Sequence, residues 1–288
     1  MLPKGPPAFV QLGRYGDIIQ MLPAFKALSD KHGKRPLVVV SREYSAVFDG
    51  VSYVEPWIVP MTWPDGVQAA RGLAELHLPW VETPQFWNDA KDRFRSEACR
   101  QARVLQCHGN KWRVDTERWP DYGTAMWSLA GFSRDDMLTL PLVFDRRDPE
   151  RELALARLVL HPYKPVVLVN WTGISSPFPW TPEFQRVLSR YRDRFNLVDL
   201  SSVKAERIYD LLGLYDRAAV LITIDTATLH LAPASKVPYI AFTRQDWSGS
   251  VPRGTCVLNL GYDEGIKRMT DFERILQSWA QKPQLAHA

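Results

Sequence analysis

Residues 221–243 read Leu221-Ile-Thr-Ile-Asp-Thr-Ala-Thr-Leu-His-Leu-Ala-Pro-Ala-Ser-Lys-Val-Pro-Tyr-Ile-Ala-Phe-Thr243 and carry the clearest structural signal in the chain. The apolar run at each end predicts a buried strand, and the residues between them predict a polar turn that opens a helix. A helix with Thr226 and Thr228 in its first turn presents backbone N–H groups, hydroxyls and a positive dipole end to an anion. Asp225, at the strand's end, is placed to accept hydrogen bonds from ligand hydroxyls.

Alternating strands and helices continue through both halves of the chain. Buried strands are predicted at 8–12, 36–40, 52–59, 104–107, 165–170, 195–199, 220–224, 237–242 and 255–260. The main helical stripes are predicted at 17–31, 123–132, 205–219 and 264–282, with one more from residue 181. This alternation predicts an α/β fold with parallel sheets that helices cover on both faces. The charged, proline-flanked run at 145–152 predicts a linker between two domains.

The composition is that of an ordinary globular protein. The chain has 288 residues, of which 45% are hydrophobic and 24% charged, and its net charge is +4. This charge suits a phosphate-bearing ligand, an anionic membrane surface or nucleic acid without selecting one of them. Three cysteines without metal-ligand spacing argue against a disulfide framework and for a reducing cytoplasm. No apolar run predicts a signal peptide or a transmembrane helix, so a membrane contact would be peripheral.

A second motif lies near the amino end, where residues 11–28 read Gln11-Leu-Gly-Arg-Tyr-Gly-Asp-Ile-Ile-Gln-Met-Leu-Pro-Ala-Phe-Lys-Ala-Leu28. This stretch and the string D-T-A-T-L-H-L-A at 225–232 resemble two motifs of glycosyltransferase family 9, the ADP-heptose:lipopolysaccharide heptosyltransferases and their relatives. The resemblance implies two Rossmann-like domains in the glycosyltransferase B (GT-B) fold. These would be an acceptor-binding domain at 1–150 and a nucleotide-sugar-binding domain at 151–263, with a terminal helix at 264–288 crossing back to the first domain.

The resemblance also implies an activity, the inverting transfer of a heptose or hexose from a nucleotide-diphosphate sugar to an acceptor hydroxyl. The default acceptor is a lipopolysaccharide-type saccharide. Asp17 matches the family's general base, which deprotonates that hydroxyl, although the residues alone favour a helix cap or first-turn acid. Arg14 and Gly16 in the same turn, and Arg244 beyond a later strand, are candidate phosphate or acceptor contacts.

Two segments match the family's donor site. One is the turn at 225–230, where Ala227 stands in place of the usual glycine and would disfavour a positive φ. The other is Asn170-Trp-Thr-Gly-Ile-Ser-Ser-Pro-Phe-Pro-Trp180, in the position of a G-x-x-x-x-K-x-W-P loop, where Phe178 replaces the lysine that would neutralise the diphosphate. His230 is explained as well by a buried hydrogen-bonding role as by ligand binding. The predicted donor-binding residues are Asn170, Thr172, Gly173, Ser175, Ser176, Asp225, Thr226, Ala227, Thr228 and His230.

Neither a metal nor a cofactor is expected, because the chain has no Asp-x-Asp element and the nucleotide sugar is a co-substrate. The expected partners are a nucleotide sugar and a saccharide or glycolipid acceptor, with nucleic acid and a membrane surface as further candidates. The expected location is the cytoplasm, including the inner face of the membrane.

Two alternatives remain at this stage. One is a glycosyltransferase that acts on a modified base in DNA. The other is a sugar-nucleotide-binding protein that kept the fold and lost catalysis. A dehydrogenase is poorly supported, since no G-x-G-x-x-G follows the first strand.

Overall fold

A computed structural model describes residues 8–60, 103–104, 119–174, 176–246 and 249–280. The chain divides into two compact units, Met1–Arg147 and Asp148–Ala288. The boundary falls inside the charged run at 145–152 in which the linker is predicted. Helices and strands are numbered below in chain order among the described residues.

The first unit contains a parallel sheet with the strand order β3-β2-β1-β4. Its strands are β1 (Phe9–Val10), β2 (Leu37–Ser41), β3 (Glu55–Val59) and β4 (Arg103–Val104). Helix α1 (Tyr15–His32) joins β1 to β2, and a 3-10 helix (Arg42–Gly50) joins β2 to β3. Helices α2 (Tyr122–Ala130) and α3 (Arg134–Thr139) follow β4.

Helix α1 is continuous through Pro23 and buries one face in the core of the first unit. Ile18, Leu22, Phe25 and Leu28, which recur at helical spacing within the predicted range 17–31, are all buried. The helix ends at Gly33, whose φ of 62° is the left-handed conformation that glycine adopts without strain. This packing holds the start of α1 against the carboxyl end of β1.

The second unit contains a parallel sheet with the strand order β6-β5-β7-β8-β9. Its strands are β5 (Val166–Asn170), β6 (Asn196–Asp199), β7 (Val220–Ile224), β8 (Tyr239–Thr243) and β9 (Cys256–Gly261). Its α-helices are α4 (Pro149–Val159), α5 (Thr181–Ser189), α6 (Leu212–Tyr215), α7 (Ala227–Leu231), α8 (Tyr262–Gly265) and α9 (Met269–Ala280). Short 3-10 helices lie at Leu200–Ser202, Ile208–Leu211, Ala232–Ala234 and Ile266–Arg268.

Aromatic side chains fill one face of this second sheet. Phe184 of α5, Phe242 of β8 and Phe272 of α9 are fully buried and contact one another, with ring centroids 4.8–6.2 Å apart. The apolar face of α9 therefore packs on the core of the second unit. The crossing of the terminal helix to the first domain stays a prediction.

The prediction of an α/β fold with parallel sheets is confirmed, whereas several element lengths differ. The helix predicted at 205–219 is reduced to the 3-10 turn at 208–211 and α6. The terminal helix begins at Met269, because two shorter turns occupy 262–268. Of the strand predicted at 104–107, residues 105–107 lie outside the described residues. Among the helices that the structure describes, none is both long and apolar enough to span a membrane.

Candidate functional site

The topology of the second unit defines where a ligand would bind. From β5 the chain moves outward to β6 and then returns to β7 on the other side of β5, so the order reverses between β5 and β7. Ligands of open α/β sheets bind at the carboxyl ends of the strands beside such a reversal. Asn170 ends β5, Thr223 pairs with it on β7, and Asp225 follows β7. The two predicted donor-site segments therefore meet at this position.

A network of amide and hydroxyl groups joins the two strand ends. The Asn170 amide Nδ2 donates to the Oγ1 atoms of Thr226 and Thr228, both at 2.9 Å. The Thr228 hydroxyl also lies 2.6 Å from that of Thr223 and 2.8 Å from that of Thr226. Thr228 is buried and Thr226 is half-buried. The hydroxyl of Thr228 is thus a structural element, and that of Thr226 is the more accessible one.

Helix α7 begins directly at this network, with Ala227 as its first residue. The first N–H groups of a helix lack acceptors within the helix, and they carry its positive dipole end. Ala227 adopts a helical conformation, so the glycine of the family motif is not required here for a positive φ. The helix begins where the sequence predicts, and anion binding at its start stays a prediction.

Asp225 is buried, with a side chain 5% exposed, and it organises the residues around the strand end. Its Oδ2 accepts a hydrogen bond from the backbone N–H of Ser250 at 2.9 Å. Its Oδ1 lies 3.8 Å from Nε2 of His230, and that nitrogen lies 3.4 Å from the Ser250 hydroxyl. The carboxylate therefore anchors the backbone at Ser250 and lies beside the His230 ring.

Tyr262 closes the site from the end of β9. Its hydroxyl donates to the backbone carbonyl of Ser176 at 2.8 Å. Burial and the Asp225 charge raise the pKa of this tyrosine. The Arg244 guanidinium lowers that pKa, so Arg244 lies within electrostatic reach of the Tyr262 hydroxyl. Arg244 also pairs with Asp246. A cation is therefore present in the neighbourhood of Tyr262.

The loop after β5 is held by aromatic packing. The Phe178 ring is 5% exposed and stacks on Trp171, with centroids 5.6 Å apart and planes at 14°. It also contacts Phe242 at 4.7 Å and Tyr262 at 5.2 Å. The residue that replaces the family's lysine thus belongs to the hydrophobic core, which explains why an aromatic side chain stands there.

The other predicted residues of this loop have separate environments. Thr172 is exposed, and its N–H donates to Oδ1 of Asn170 at 3.2 Å. A Cβ on Gly173 would lie 2.8 Å from Cγ2 of Thr226, so the loop passes close to α7 only because this residue has no side chain. Ser176 is buried, and Ser175 lies outside the described residues.

In the first unit, the corresponding reversal lies between β1 and β4, and Arg14, Gly16 and Asp17 follow β1. Asp17 Oδ2 accepts the backbone N–H of Arg14 at 2.9 Å, which is the helix-capping role that the residues alone favour. Its other oxygen has no hydrogen-bond partner among the described residues. Burial and the neighbouring Glu43 raise the pKa of Tyr44 to about 12. The positive charge of Arg14 acts in the opposite direction, so its guanidinium lies near the Tyr44 hydroxyl.

Four residues at these sites were not predicted from the sequence. Buried Gln11 accepts the Gly13 N–H at 3.2 Å and donates to the Asp17 carbonyl at 3.4 Å. Thr223, Ser250 and Tyr262 complete the site around Asp225. Gln11 and Thr223 adjoin recognised motifs, which is a signal that could have found them. Ser250 and Tyr262 are 25 and 37 residues beyond Asp225 and carry no local signal.

No protein-family model matches the sequence, and no curated protein matches it significantly. Solved structures do match the fold. A family 9 glycosyltransferase from Veillonella parvula has a TM-score of 0.53 at 12% identity, covering 99% of this chain and 91% of its own. The E. coli ADP-heptose lipopolysaccharide heptosyltransferase II has a TM-score of 0.55 at 13% identity, covering 96% and 98%. The chain therefore has the fold of these glycosyltransferases, and the resemblance is confirmed at the level of fold.

A third match corrects one expectation. The dodecameric glycosyltransferase TibC of enterotoxigenic E. coli has a TM-score of 0.52 at 12% identity, covering 85% of this chain and 60% of its own, and it is described as iron-containing. The expectation that no cofactor accompanies this fold is therefore wrong. Within the described ranges of this chain, no group of three or more His, Cys, Asp or Glu side chains forms a metal site.

Proposed function

We propose that the chain is a glycosyltransferase that moves a sugar, a heptose or a hexose, from a nucleotide-diphosphate sugar to an acceptor hydroxyl. The observation that carries this proposal is the hydrogen bonding of Asn170 to Thr226 and Thr228 at the β5/β7 reversal. It joins the two motifs that resemble the family's donor site. The fold shared with family 9 glycosyltransferases supports the same conclusion.

In this proposal the diphosphate binds at the start of α7. The N–H groups of Ala227 and Thr228 and the hydroxyl of Thr226 would donate to the diphosphate there, helped by the hydroxyl of Thr172 in the loop after β5. Asp225, whose Oδ2 also accepts the Ser250 N–H, would accept hydrogen bonds from sugar hydroxyls. Backbone and hydroxyl donors of this kind stabilise the charge that develops on a departing diphosphate.

Positive charge for the leaving group would come from Arg244, since Phe178 is buried in the core. Arg244 is half-buried, lies in electrostatic reach of Tyr262 and is paired with Asp246. A guanidinium presents planar, bidentate donors that suit phosphate oxygens. Release from Asp246 would let it turn to the diphosphate.

We assign the general base to Asp17. One carboxylate oxygen is held by the Arg14 N–H, which fixes the side chain, and the other has no partner among the described residues. A fixed carboxylate with one accessible oxygen can take the proton from an acceptor hydroxyl as that hydroxyl attacks the anomeric carbon. In-line attack of this kind inverts the anomeric configuration.

The proposal extends to domains, acceptor and location. The two units would be the Rossmann-like domains of a GT-B fold, at 1–150 and 151–263, with the 264–288 segment crossing back. The default acceptor is a lipopolysaccharide-type saccharide, because one structural match is described as acting on lipopolysaccharide. A glycolipid acceptor and a nucleotide-sugar donor would meet in the cytoplasm, at the inner face of the membrane.

The test uses calorimetric titration with ADP-, UDP-, GDP- and CMP-sugars, followed by a transfer assay with the donor that binds. Asp225→Ala should weaken donor binding, whereas Asp17→Asn should keep it and lower turnover by about 10²–10⁴-fold. Asp193→Asn, an exposed acid in the second unit, is the matched control and should change neither.

Three outcomes would contradict parts of the proposal. Unchanged donor affinity in Asp225→Ala would move the donor site elsewhere. Near-normal turnover in Asp17→Asn would return Asp17 to its capping role alone. A wild-type chain that binds nucleotide sugars but transfers to neither saccharide nor DNA would favour the non-catalytic alternative.

A further inference from the structure

A second concave site lies in the same unit, along the edge strand of its sheet. Strand β6 ends the sheet order, and a groove of about 510 Å³ runs beside it, between β6 and the carboxyl-terminal part of α5. We call this the β6 groove. Cavities of this size accommodate small molecules. Its lining includes Lys164, Trp171, Leu188, Arg192, Asn196 and Leu197.

Cationic side chains predominate among the charged residues of the β6 groove. Lys164 and Arg192 line it, together with His161. The Lys164 ammonium donates to the backbone carbonyl of Arg192 at 3.2 Å, which brings the two residues together. Neither side chain pairs with a carboxylate within the described part of the chain. The one acid in the lining, Asp199, accepts from the N–H and hydroxyl of Ser201.

Two buried N–H donors in the same lining have no acceptor. Trp171 is 7% exposed, and its indole Nε1 has no hydrogen-bond partner among the residues that the structure describes. The same holds for the amide Nδ2 of Asn196. Nearly all buried donors in proteins find an acceptor, so each such exception calls for an explanation. Two exceptions in one groove, beside two cations, indicate a ligand that supplies acceptor oxygens.

We propose that the β6 groove binds a phosphate-bearing small molecule of the sugar-phosphate class. The phosphate oxygens would pair with Lys164 and Arg192, because phosphate accepts several charge-assisted hydrogen bonds at once. The sugar hydroxyl oxygens would accept from Trp171 and Asn196. Leu188 and Leu197 would contact the carbon face of the sugar.

The β6 groove and the proposed donor site are separate, although they adjoin one another in sequence. Asn170 bonds to Thr226 and Thr228, on the β7 side of β5. Trp171 and Val169 line the groove, beside β6. Successive residues of a strand point to opposite faces of the sheet, and Val169 and Trp171 share the hydrophobic core on one face, so Asn170 between them points to the other face. The groove proposal therefore goes beyond the proposed transfer reaction and does not depend on it.

The experiment is calorimetric titration of the full chain with glucose 6-phosphate, inorganic phosphate and glucose. Glucose 6-phosphate should bind saturably and more tightly than either of the other probes. The double variant Lys164→Gln/Arg192→Gln should weaken it by about tenfold or more. The double variant Lys236→Gln/Arg190→Gln removes the same charge from two other exposed side chains and should change affinity less than about twofold.

A third variant, Trp171→Phe, removes the indole N–H and keeps an aromatic ring. It should weaken glucose 6-phosphate by about threefold to tenfold, with a far-ultraviolet spectrum like that of the wild type. Thr226→Ala, in the donor site, should leave this affinity unchanged.

Several results would overturn the proposal. One is a wild-type chain that shows no saturable binding of glucose 6-phosphate at concentrations up to about 10 mM. Equal losses in the groove and control double variants would assign the binding to net charge. A loss in Thr226→Ala without a loss in Lys164→Gln/Arg192→Gln would assign the phosphate to the donor site. Equal affinity for inorganic phosphate would exclude the sugar contacts.

Discussion

The strongest test of the donor-site geometry is the substitution Phe178→Lys, which restores the lysine of the family motif. The Phe178 ring is 5% exposed and lies 4.7–5.6 Å, between centroids, from the rings of Trp171, Phe184, Phe242 and Tyr262. A buried phenylalanine removes about 200 Å² of apolar surface from water, which corresponds to ~5 kcal/mol at about 25 cal/mol per Å². Truncation of such rings costs about 3–5 kcal/mol.

The lysine stem would recover part of this packing, but its ammonium would have to reach water or remain buried without a partner. We therefore expect Phe178→Lys to lower the free energy of unfolding by about 3–5 kcal/mol and not to improve nucleotide-sugar binding. Urea denaturation followed by tyrosine and tryptophan fluorescence measures the first quantity, and calorimetry measures the second.

Two controls accompany this experiment. Ile174→Lys puts the same charge on a side chain of the same loop that is 85% exposed, and it should change stability by less than about 0.5 kcal/mol. Phe178→Leu keeps an apolar side chain and should cost less than Phe178→Lys. A Phe178→Lys variant as stable as the wild type, with tighter nucleotide-sugar binding, would refute the reasoning, because the side chain would then face the ligand.

Asn170→Ala removes the amide that donates to Thr226 and Thr228, so we expect the free energy of unfolding to fall by about 1–3 kcal/mol. An unchanged urea denaturation curve would argue against the network. Gly173→Ala introduces a Cβ 2.8 Å from Cγ2 of Thr226, so the loop must shift and we expect weaker nucleotide-sugar binding in calorimetry. Wild-type affinity in this variant would mean that the loop does not contribute to the donor site. Burial raises the pKa of Tyr215 above its usual 10, so its contribution to stability is complete below pH 10 and is lost as the pH rises through the folded-state pKa. Tyr215→Phe should therefore flatten the decline of the unfolding free energy above pH 10 by up to about 1.4 kcal/mol per pH unit, and an unchanged pH profile in urea denaturation would count against this.

The local parts of the fold could be predicted from the sequence. The strand at 220–224 and a helix beginning just after Thr226 are found as the motif predicts, since an apolar run and a polar turn are both signals within a few residues. The meeting of Asn170 with the turn at 225–228 also follows from sequence, because neighbouring parallel strands end at the same edge of a sheet.

The remaining features depend on contacts between distant residues. The inward orientation of Phe178 depends on Trp171, Phe242 and Tyr262, and motif alignment alone counted it as a lost ligand contact. Ser250, whose N–H donates to Asp225, follows β8 in a stretch of sequence that has no hydrophobic periodicity and no recognised motif. Such residues lie at the site because of the packing of whole elements, which short sequence windows do not encode.

The aromatic packing of the 170–180 loop also bears on the thermodynamics of ligand binding. The side chains of Trp171, Phe178 and Trp180 are already packed before a ligand arrives, so they lose little conformational entropy on binding. Flexible loops that fold over a ligand show a large unfavourable entropy and a strongly negative heat-capacity change. Binding at this strand end should therefore have the small entropy and heat-capacity changes of a rigid, preorganised receptor.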